Sequence, residues 1–422
     1  MARNRIIYQT EALYAGPSPA TGIDNSAKDL TRQLHRIQSC NYGYNLTRRD
    51  VNQFGELAAI DRILLESPVV NLDFSYLNAN FFNEKQLGFY VNTGQGDSSA
   101  ITYLLNKTQD DRNYYVKMVP EGVDAAGYAV WPPGHDVSGT FFSSIGNGFI
   151  SNFSTEGVVG DFPRSTLSVE GLNILFGSHN ISRTAHNSFS GYVNGNEGKY
   201  LLVRNPAVNP SNGTAINTGG FASLNDLNYY VPIPTADSNP TYDTLTGYNA
   251  TGYEYPYRIS ALRPGDITLQ FLSAGTSTDL NEAGSLISDL KIQSYNLGFS
   301  LTRDPLQKLG SKYAFAREIR FPIQVNLSVE ANVGDIKTGN LVDVIRSDSA
   351  YDISVNIAAP TNSALKIMNY TMKNAKLDSQ SYTSSIGPNK SVSFNFSSQI
   401  GGPLQLNKGL FFSGYLPNIS LY

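Results

Sequence analysis

The sequence predicts a mainly β protein: two tandem β-sandwich or barrel domains in one chain, each with a short flanking helix and a long loop. Three observations lead there. Only 16% of the 422 residues are charged, and Gly, Asn, Ser, Thr and Tyr take up the difference, a composition that favours strands and turns over helical bundles. Several segments alternate strictly between apolar and polar residues, which is the period of a half-buried strand. The chain also contains one stretch twice: IQSCNYGYNLTRRDVNQFGELAAIDRILLESPVVNL at 37–72 aligns without a gap with IQSYNLGFSLTRDPLQKLGSKYAFAREIRFPIQVNL at 292–327, 255 residues on. Identical pairs include Gln38/Gln293, Gly43/Gly298, Arg48/Arg303, Gly55/Gly310, Arg62/Arg317 and Asn71/Asn326. A repeat of this kind decides the architecture before any single motif does.

Copy one spans about 1–178 and copy two about 262–422, with a leading strand near 13–16 and 272–275. Copy one is the longer, and its extra length falls at about 92–148, around Trp131-Pro132-Pro133-Gly134. The span 179–261, rich in Asn, Gly, Pro and Tyr, belongs to neither copy and reads as an inserted connection or a small β-decoration. Within the repeat, residues 38–47 form the first clear strand. Cys40, Tyr42, Tyr44 and Leu46 make its apolar face, matched by Tyr295, Leu297, Phe299 and Leu301. Its other face carries Asn41, Gly43 and Asn45, matched by Asn296, Gly298 and Ser300. In the second strand Val70, Leu72, Phe74 and Tyr76 are apolar, matched by Val325, Leu327, Val329 and Ala331. Between them stand Asn71, Asp73 and Ser75, matched by Asn326, Ser328 and Glu330. Each copy thus gives one face to a core and keeps one small, polar, mostly uncharged face, and a one-residue slip would invert both. Weaker matches set 152–154 against 369–371 and 163–170 against 388–395. Helices are expected at 80–90 and 338–346, with a weaker candidate before Ile37, where Leu30 and Leu34 stand four apart.

No catalytic constellation is legible, and the expectation is a non-enzyme without cofactor or metal. His35, His135, His179 and His186 lack metal-site spacing and read as surface histidines. There is no G-x-S-x-G, Gly198-Lys199 does not close a P-loop, and Gly94-Gln95-Gly96 lacks the third glycine of a dinucleotide fingerprint. The single cysteine, Cys40, falls on an apolar strand face and reads as a packed thiol. A net charge of −4 argues against a generally basic nucleic-acid-binding surface. No apolar run has the length of a signal peptide core or a membrane span, so folding in a reducing cytoplasm is expected.

The loop between the paired strands is the most polar repeated element. It carries Arg48, Arg49, Glu56 and Arg62 in copy one, and Arg303, Lys308, Lys312 and Arg317 in copy two. Two arginines kept between otherwise diverged copies favour a contact between subunits over a merely solvated loop, since guanidinium groups are favoured at interfaces.

The run YNLTRRDVNQFGELAAIDRILLESPVVNLDFSY at 44–76, after the opening RIIYQTEAL at 5–13, resembles the tail tube (major tail) proteins of long-tailed bacteriophages. The resemblance is strongest over the first 90 residues, reaches copy two through the repeat and leaves the middle uncovered. It implies a β-sandwich with a flanking helix and long loop, six such domains in a ring, and rings stacked into a hollow tube for genome passage in a virion tail assembled in the host cytoplasm. Most such proteins carry one tube domain, so a chain with two implies a homotrimeric ring of pseudo-sixfold symmetry. The implied partners are further copies of the chain, other tail and neck proteins at the tube ends, a tape-measure protein in the lumen, and DNA in transit without tight binding. On this reading Asn41, Asn45, Asn71, Asp73, Asn296, Asn326, Ser328 and Glu330 line the lumen, where amides and carboxylates would not grip a polyanion. The loop residues Arg48 to Arg62 and Arg303 to Arg317 would join subunits or rings. Composition alone supports an alternative, a duplicated β-sandwich adhesin or decoration protein that holds carbohydrate through the Tyr/Asn/Gly-rich centre.

Overall fold

The computed structural model describes residues 10–17, 32–64, 69–92, 98–105, 111–119, 121, 125, 140–171, 173–179, 199–203, 228–232, 262–273, 291–306, 309, 316–332, 350–359, 362–383, 390–402, 405 and 407–414. Over these the chain is mainly β. The strands up to the middle are β1 (Glu11–Pro17), β2 (Arg32–Gln33), β3 (Ile37–Asn45), β4 (Arg48–Val51), β5 (Asp61–Leu64), β6 (Val69–Leu77), β7 (Val91–Asn92), β8 (Asp111–Met118), β9 (Thr140–Val158), β10 (Arg164–Gly171) and β11 (Asn173–His179). A separate two-stranded ribbon follows, β12 (Lys199–Val203) with β13 (Asn228–Pro232). Then come β14 (Ile267–Ser273), β15 (Lys291–Ser300), β16 (Arg303–Leu306), β17 (Ala316–Ile319), β18 (Ile323–Asn332), β19 (Tyr351–Ala359), β20 (Asn362–Thr383), β21 (Ser391–Ile400) and β22 (Gly409–Gly414).

One continuous antiparallel path orders the strands β14–β19–β20–β21–β18–β15–β9–β10–β6–β3. With β1 and β8, which join β9 beside this path, the same series occurs twice. The first set runs β1–β8–β9–β10–β6–β3, and the second runs β14–β19–β20–β21–β18–β15. β11 lies beside β9 as β22 lies beside β20. The long strands β9 and β20 each serve two neighbourhoods: the first half of β9 pairs with β8 and β11, and its second half with β10.

The ladders break at matching places. A bulge interrupts β3–β6 between Ile37 and Ser39, and β15–β18 between Ile292 and Ser294. The residue looped out is the repeated glutamine. Its side-chain amide satisfies a carbonyl two residues back, Gln38 Nε2 donating to Arg36 O and Gln293 Nε2 to Lys291 O, both at 3.1 Å. That identity therefore serves the backbone polar groups a bulge leaves unpaired. Two further bulges loop out Ser151 from β9 against β10 and Asp378 from β20 against β21. They place Asn152 over Ser379, not over Asn369 as the sequence match had it. A short Asn-aromatic-hydroxyl string is too common in this composition to set a register.

Alternation delivers the core. Val70, Leu72, Phe74 and Tyr76 of β6 are buried, as are Val325, Leu327, Val329 and Ala331 of β18, and each large apolar side chain so buried contributes about 1.5–3 kcal/mol. The two strand sets share this core. The Phe153 ring lies 5.1 Å from that of Phe89 and 5.6 Å from those of both Phe299 and Phe412, tilted against each. Phe81 lies 5.4 Å from Phe412 and 5.3 Å from Tyr370. Phe81 and Phe89 flank the one helix described in this part, α1 (Phe82–Gln86), which thereby delivers copy-one rings to copy-two strands. The helix expected at 80–90 is short for local reasons. Asn80 Oδ1 accepts from Phe82 N at 3.0 Å at its start, and Gly88, at φ +99°, stops it.

Two expectations are corrected. No helix precedes Ile37 over the described residues: Arg32–Gln33 is strand β2, paired with β1, and Leu34 N donates to Leu13 O at 2.8 Å. His35 is buried, not at the surface. Its ring stacks on Phe82 at 4.2 Å, and its backbone N and O pair with the Asn83 side chain at 2.9 Å. Burial, and next the Arg36 charge, pushes the imidazole down to about 3, so it is neutral at every physiological pH. His179 ends β11, while His135, His186 and the helix expected at 338–346 lie outside the described residues.

The shared aromatic core predicts that Phe153→Ala lowers stability by about 3–5 kcal/mol, since the ring leaves a cavity bounded by both copies; urea unfolding measures it. A second outcome concerns Glu84, fully buried on α1, whose Oε1 accepts from Tyr76 Oη at 3.0 Å. Burial raises its carboxyl from 4.5 to about 8. The native state then holds a proton that the unfolded chain has released, so this group lowers stability progressively between about pH 4.5 and 8 and no further above that. Glu84→Gln removes that decline: its unfolding midpoint relative to wild type should climb steadily from pH 5 to 8.

Candidate functional site

The polar residues of the repeat collect on the face of the sheet that, among the described residues, no second layer covers. Asn41, Asn45, Asn71, Asp73, Asn296, Asn326, Ser328 and Glu330 are all exposed. Asn41 stands opposite Asp73 on β3–β6, and Asn296 opposite Ser328 on β15–β18, so they form two groups with β9 and β10 between them. A groove of about 430 Å³ crosses this face from β9 to β20, lined by Asn152, Ser154, Asn296, Asn326, Asp378 and Asn395 among others. Hydroxyls and amides bridge neighbouring strands: Ser39 Oγ meets Ser75 Oγ at 2.6 Å, and Asn395 Nδ2 donates to Ser379 Oγ at 2.9 Å. The Arg164 guanidinium is held by Glu156 and lies 4.0 Å from Asp161. Among the described residues no three His, Cys, Asp or Glu side chains are grouped to hold a metal ion. Cys40 is half-buried, where Tyr295, its counterpart, is covered. Burial, and next Glu11, pushes its thiol up to about 12, which keeps it from acting as a thiolate nucleophile.

The two copies meet edge to edge. β15 pairs with the second half of β9, Leu297 opposite Thr155, Gly298 opposite Ser154 and Phe299 opposite Phe153. The backbones approach so closely that a Cβ on Gly298 would sit 2.6 Å from Phe153 O. The strands flanking the copy-two loop, β16 and β17, pair as a hairpin, and its arginines reach copy one. Arg303 Nη1 donates to Ile150 O at 2.8 Å, and Arg317 Nη1 meets Glu170 Oε2 at 3.2 Å. Both guanidiniums stand over the Phe149 ring, at 4.9 and 5.6 Å, a half-buried cation–π clamp across the junction.

The equivalents of these two edges, β3 in copy one and the second half of β20 in copy two, are open. Among the described residues β3 pairs only with β6, and the second half of β20 only with β21. The copy-one loop is also a hairpin, β4–β5. Arg48 turns onto Arg62 O at 3.3 Å, Arg62 pairs with Asp50 at 2.7 Å, and Arg49 and Glu56 are exposed. Its tip is apolar: Phe54 and Leu57 are fully exposed, with Ile60 and Ile63 also open to solvent. Reading the loop for charge missed these residues; the signal was an apolar side chain at every third position from Phe54 to Ile63. Lys308 and Lys312 lie outside the described residues, as does most of the central segment proposed to hold carbohydrate.

Arg303→Ala should cost about 1.5–3 kcal/mol, the range for a hydrogen bond made by a charged group. Arg48→Ala should change stability by under about 0.5 kcal/mol in the isolated chain, as expected of a solvated surface substitution. Paired thermal unfolding curves distinguish the two.

No protein-family profile matches the chain, and no curated protein does. Solved structures match it over part of its length. The tube-terminating cap of the anti-feeding prophage is 8% identical, with a TM-score of 0.26 over 42% of this chain and 95% of that one. The tail of an empty gene transfer agent particle, refined with C6 symmetry, is 14% identical, with a TM-score of 0.24 over 33% and 98%. The SPP1 tail tube is 12% identical, with a TM-score of 0.24 over 36% and 78%.

Proposed function

We propose that this chain is a structural virion protein that assembles with copies of itself into stacked rings of a phage-type tail tube, and that its polar sheet face lines the passage for the genome. The junction between the two copies carries this reading. One edge of copy two is paired with one edge of copy one, and among the described residues the corresponding two edges stay open: β3, which ends the path, and the second half of β20, which pairs only with β21. A heterologous contact of this kind repeats from chain to chain until the rotation closes. Closure also removes the open strand edges that otherwise invite aggregation. Three chains bring six copies of the strand set to one ring.

The chemistry of the polar face suits a conduit. Asn, Ser and Thr side chains offer a polyanion no counter-charge, and Asp73, Glu330 and Asp378 repel phosphates, so nucleic acid passes without the cation-dependent retention that bound arginines would add. The β4–β5 hairpin, with Arg48, Arg49, Glu56 and Arg62 behind an apolar tip, reaches toward a neighbouring subunit or ring. In this reading the chain is not an enzyme. It belongs to the virion tail, is assembled in the host cytoplasm, and meets neck, tail and tape-measure proteins at the tube's ends and in its lumen.

Electron microscopy of the purified chain, with sedimentation, tests the reading. Rings or tubes with an open centre and the mass of three chains per ring are expected. Rings of six chains would overturn the stoichiometry, and a compact monomer at every concentration, retained on glycan, would overturn the assembly itself.

A further inference from the structure

We propose that β3 of one chain docks antiparallel along the second half of β20 of a second copy, in the register of the internal junction, and that this seam between chains lacks the clamp of the seam within the chain. The proposal rests on the self-assembly reading above and specifies its contact.

The register follows from two alignments fixed by the ladders. β3 is β15 moved by 255 residues with its bulge in the same place. The looped-out residues Ser151 and Asp378 align the second halves of β9 and β20. Carrying the internal pairing across sets Tyr42 opposite Tyr382, Gly43 opposite Ser381, Tyr44 opposite Gln380 and Asn45 opposite Ser379.

Two independent observations argue for a further strand on these edges and for a second copy of this chain as its source. Gly298 is a glycine because a Cβ would meet the neighbouring strand, yet a Cβ on its twin, Gly43, meets nothing within 4 Å. The same residue kept in a place where nothing yet requires it fits a neighbour that approaches only on assembly. Exposure says the same from both sides. Tyr44 is 58% exposed where its counterpart Phe299 is 3% exposed, and Tyr382 is 55% exposed where Thr155 is fully covered. Each open edge thus presents an aromatic residue on the face that is buried at the internal junction.

The clamp, in contrast, is not carried across. Arg48 and Arg62 repeat Arg303 and Arg317, but the positions of Phe149 and Glu170 are taken by Lys376 and Ser397. The transferred geometry sets two guanidiniums near an ammonium where the internal seam has a ring and a carboxylate. Asp50 already sits on Arg62, and Asp378 points into the groove on the polar face. Like charges oppose this seam at low ionic strength, and added salt screens them, so chains associate more readily as salt rises.

The test uses full-length chains in a Cys40→Ser background. Asn45→Cys and Ser379→Cys are placed in separate chains, mixed and oxidised. A disulfide dimer is expected in the mixture and in neither chain alone, and replacing Ser379→Cys by Ser381→Cys, two residues out of register, should cut the yield at least tenfold. Gly43→Val should keep the thermal midpoint of the monomer and lose assembly. Lys376→Phe with Ser397→Glu, which restores the internal clamp, should assemble at low salt where wild type does not. Links formed equally by each single variant alone, or best by the shifted pair, would overturn the register, as would a Gly43→Val chain that assembles normally. Salt-independent assembly of wild type would overturn the charge-opposed seam. Rings without the cross-link leave the tube reading standing and remove this contact; the cross-link without rings does the reverse.

Discussion

The pairing of β15 with β9 is the contact on which the rest of the structure depends. It is a backbone contact first. With no room for a Cβ at Gly298, the two strands approach to ladder distance in one register, and in a sheet with one buried face a slip would turn every side chain around. That register puts Phe299 over Phe153. Phe153 then becomes the hub of a cluster that needs Phe89 from the end of α1 and Phe412 from β22, so helix, strand sets and junction are fixed together. The guanidiniums of Arg303 and Arg317 come last, bracing a geometry already set by hydrogen bonds and ring packing.

Much of this was legible in the chain because period two belongs to the backbone. The buried faces of β6, β15 and β18 fall where alternation puts them, and the mainly β architecture follows from those strands. What was not legible depends on partners far away in sequence. β4 and β5 are exposed ribbons with no buried face to alternate against, so a loop was the natural reading. β9 and β20 change neighbours halfway along, which no local pattern announces. His35 is buried because Asn83, 48 residues on, satisfies its backbone, and nothing around His35 itself signals that. Of the candidate site, the polar face could be read residue by residue. The asymmetry between a packed hairpin and a bare one could not, since both carry the same arginines.

That asymmetry has an energetic meaning. An open strand edge leaves main-chain donors and acceptors to water and keeps neighbouring apolar side chains half wet, which in most soluble proteins is countered by charge, proline or a covering loop. Among the described residues β3 has none of these along its length: its edge holds Gly43 between Tyr42 and Tyr44. The second half of β20 is of another kind, rich in Ser and Gln around Tyr382.

Within one chain the two copies have been free to diverge, and where they have done so separates two kinds of requirement. Gln38 and Gln293 each cap a bulge, and Gly298 admits a strand, whereas nothing within the chain fills the space beside Gly43. Arg48/Arg303 and Arg62/Arg317 stay on one side of the contact while the other side changes from Phe149 and Glu170 to Lys376 and Ser397. A clamp is most useful where two copies must hold one orientation before any neighbour arrives, and that is the seam inside the chain. A seam between chains formed under the same constraint would trap every misregistered encounter as firmly as the right one. A weak contact, repeated around a closing ring, lets wrong encounters dissociate and holds only the arrangement in which all of them are satisfied together.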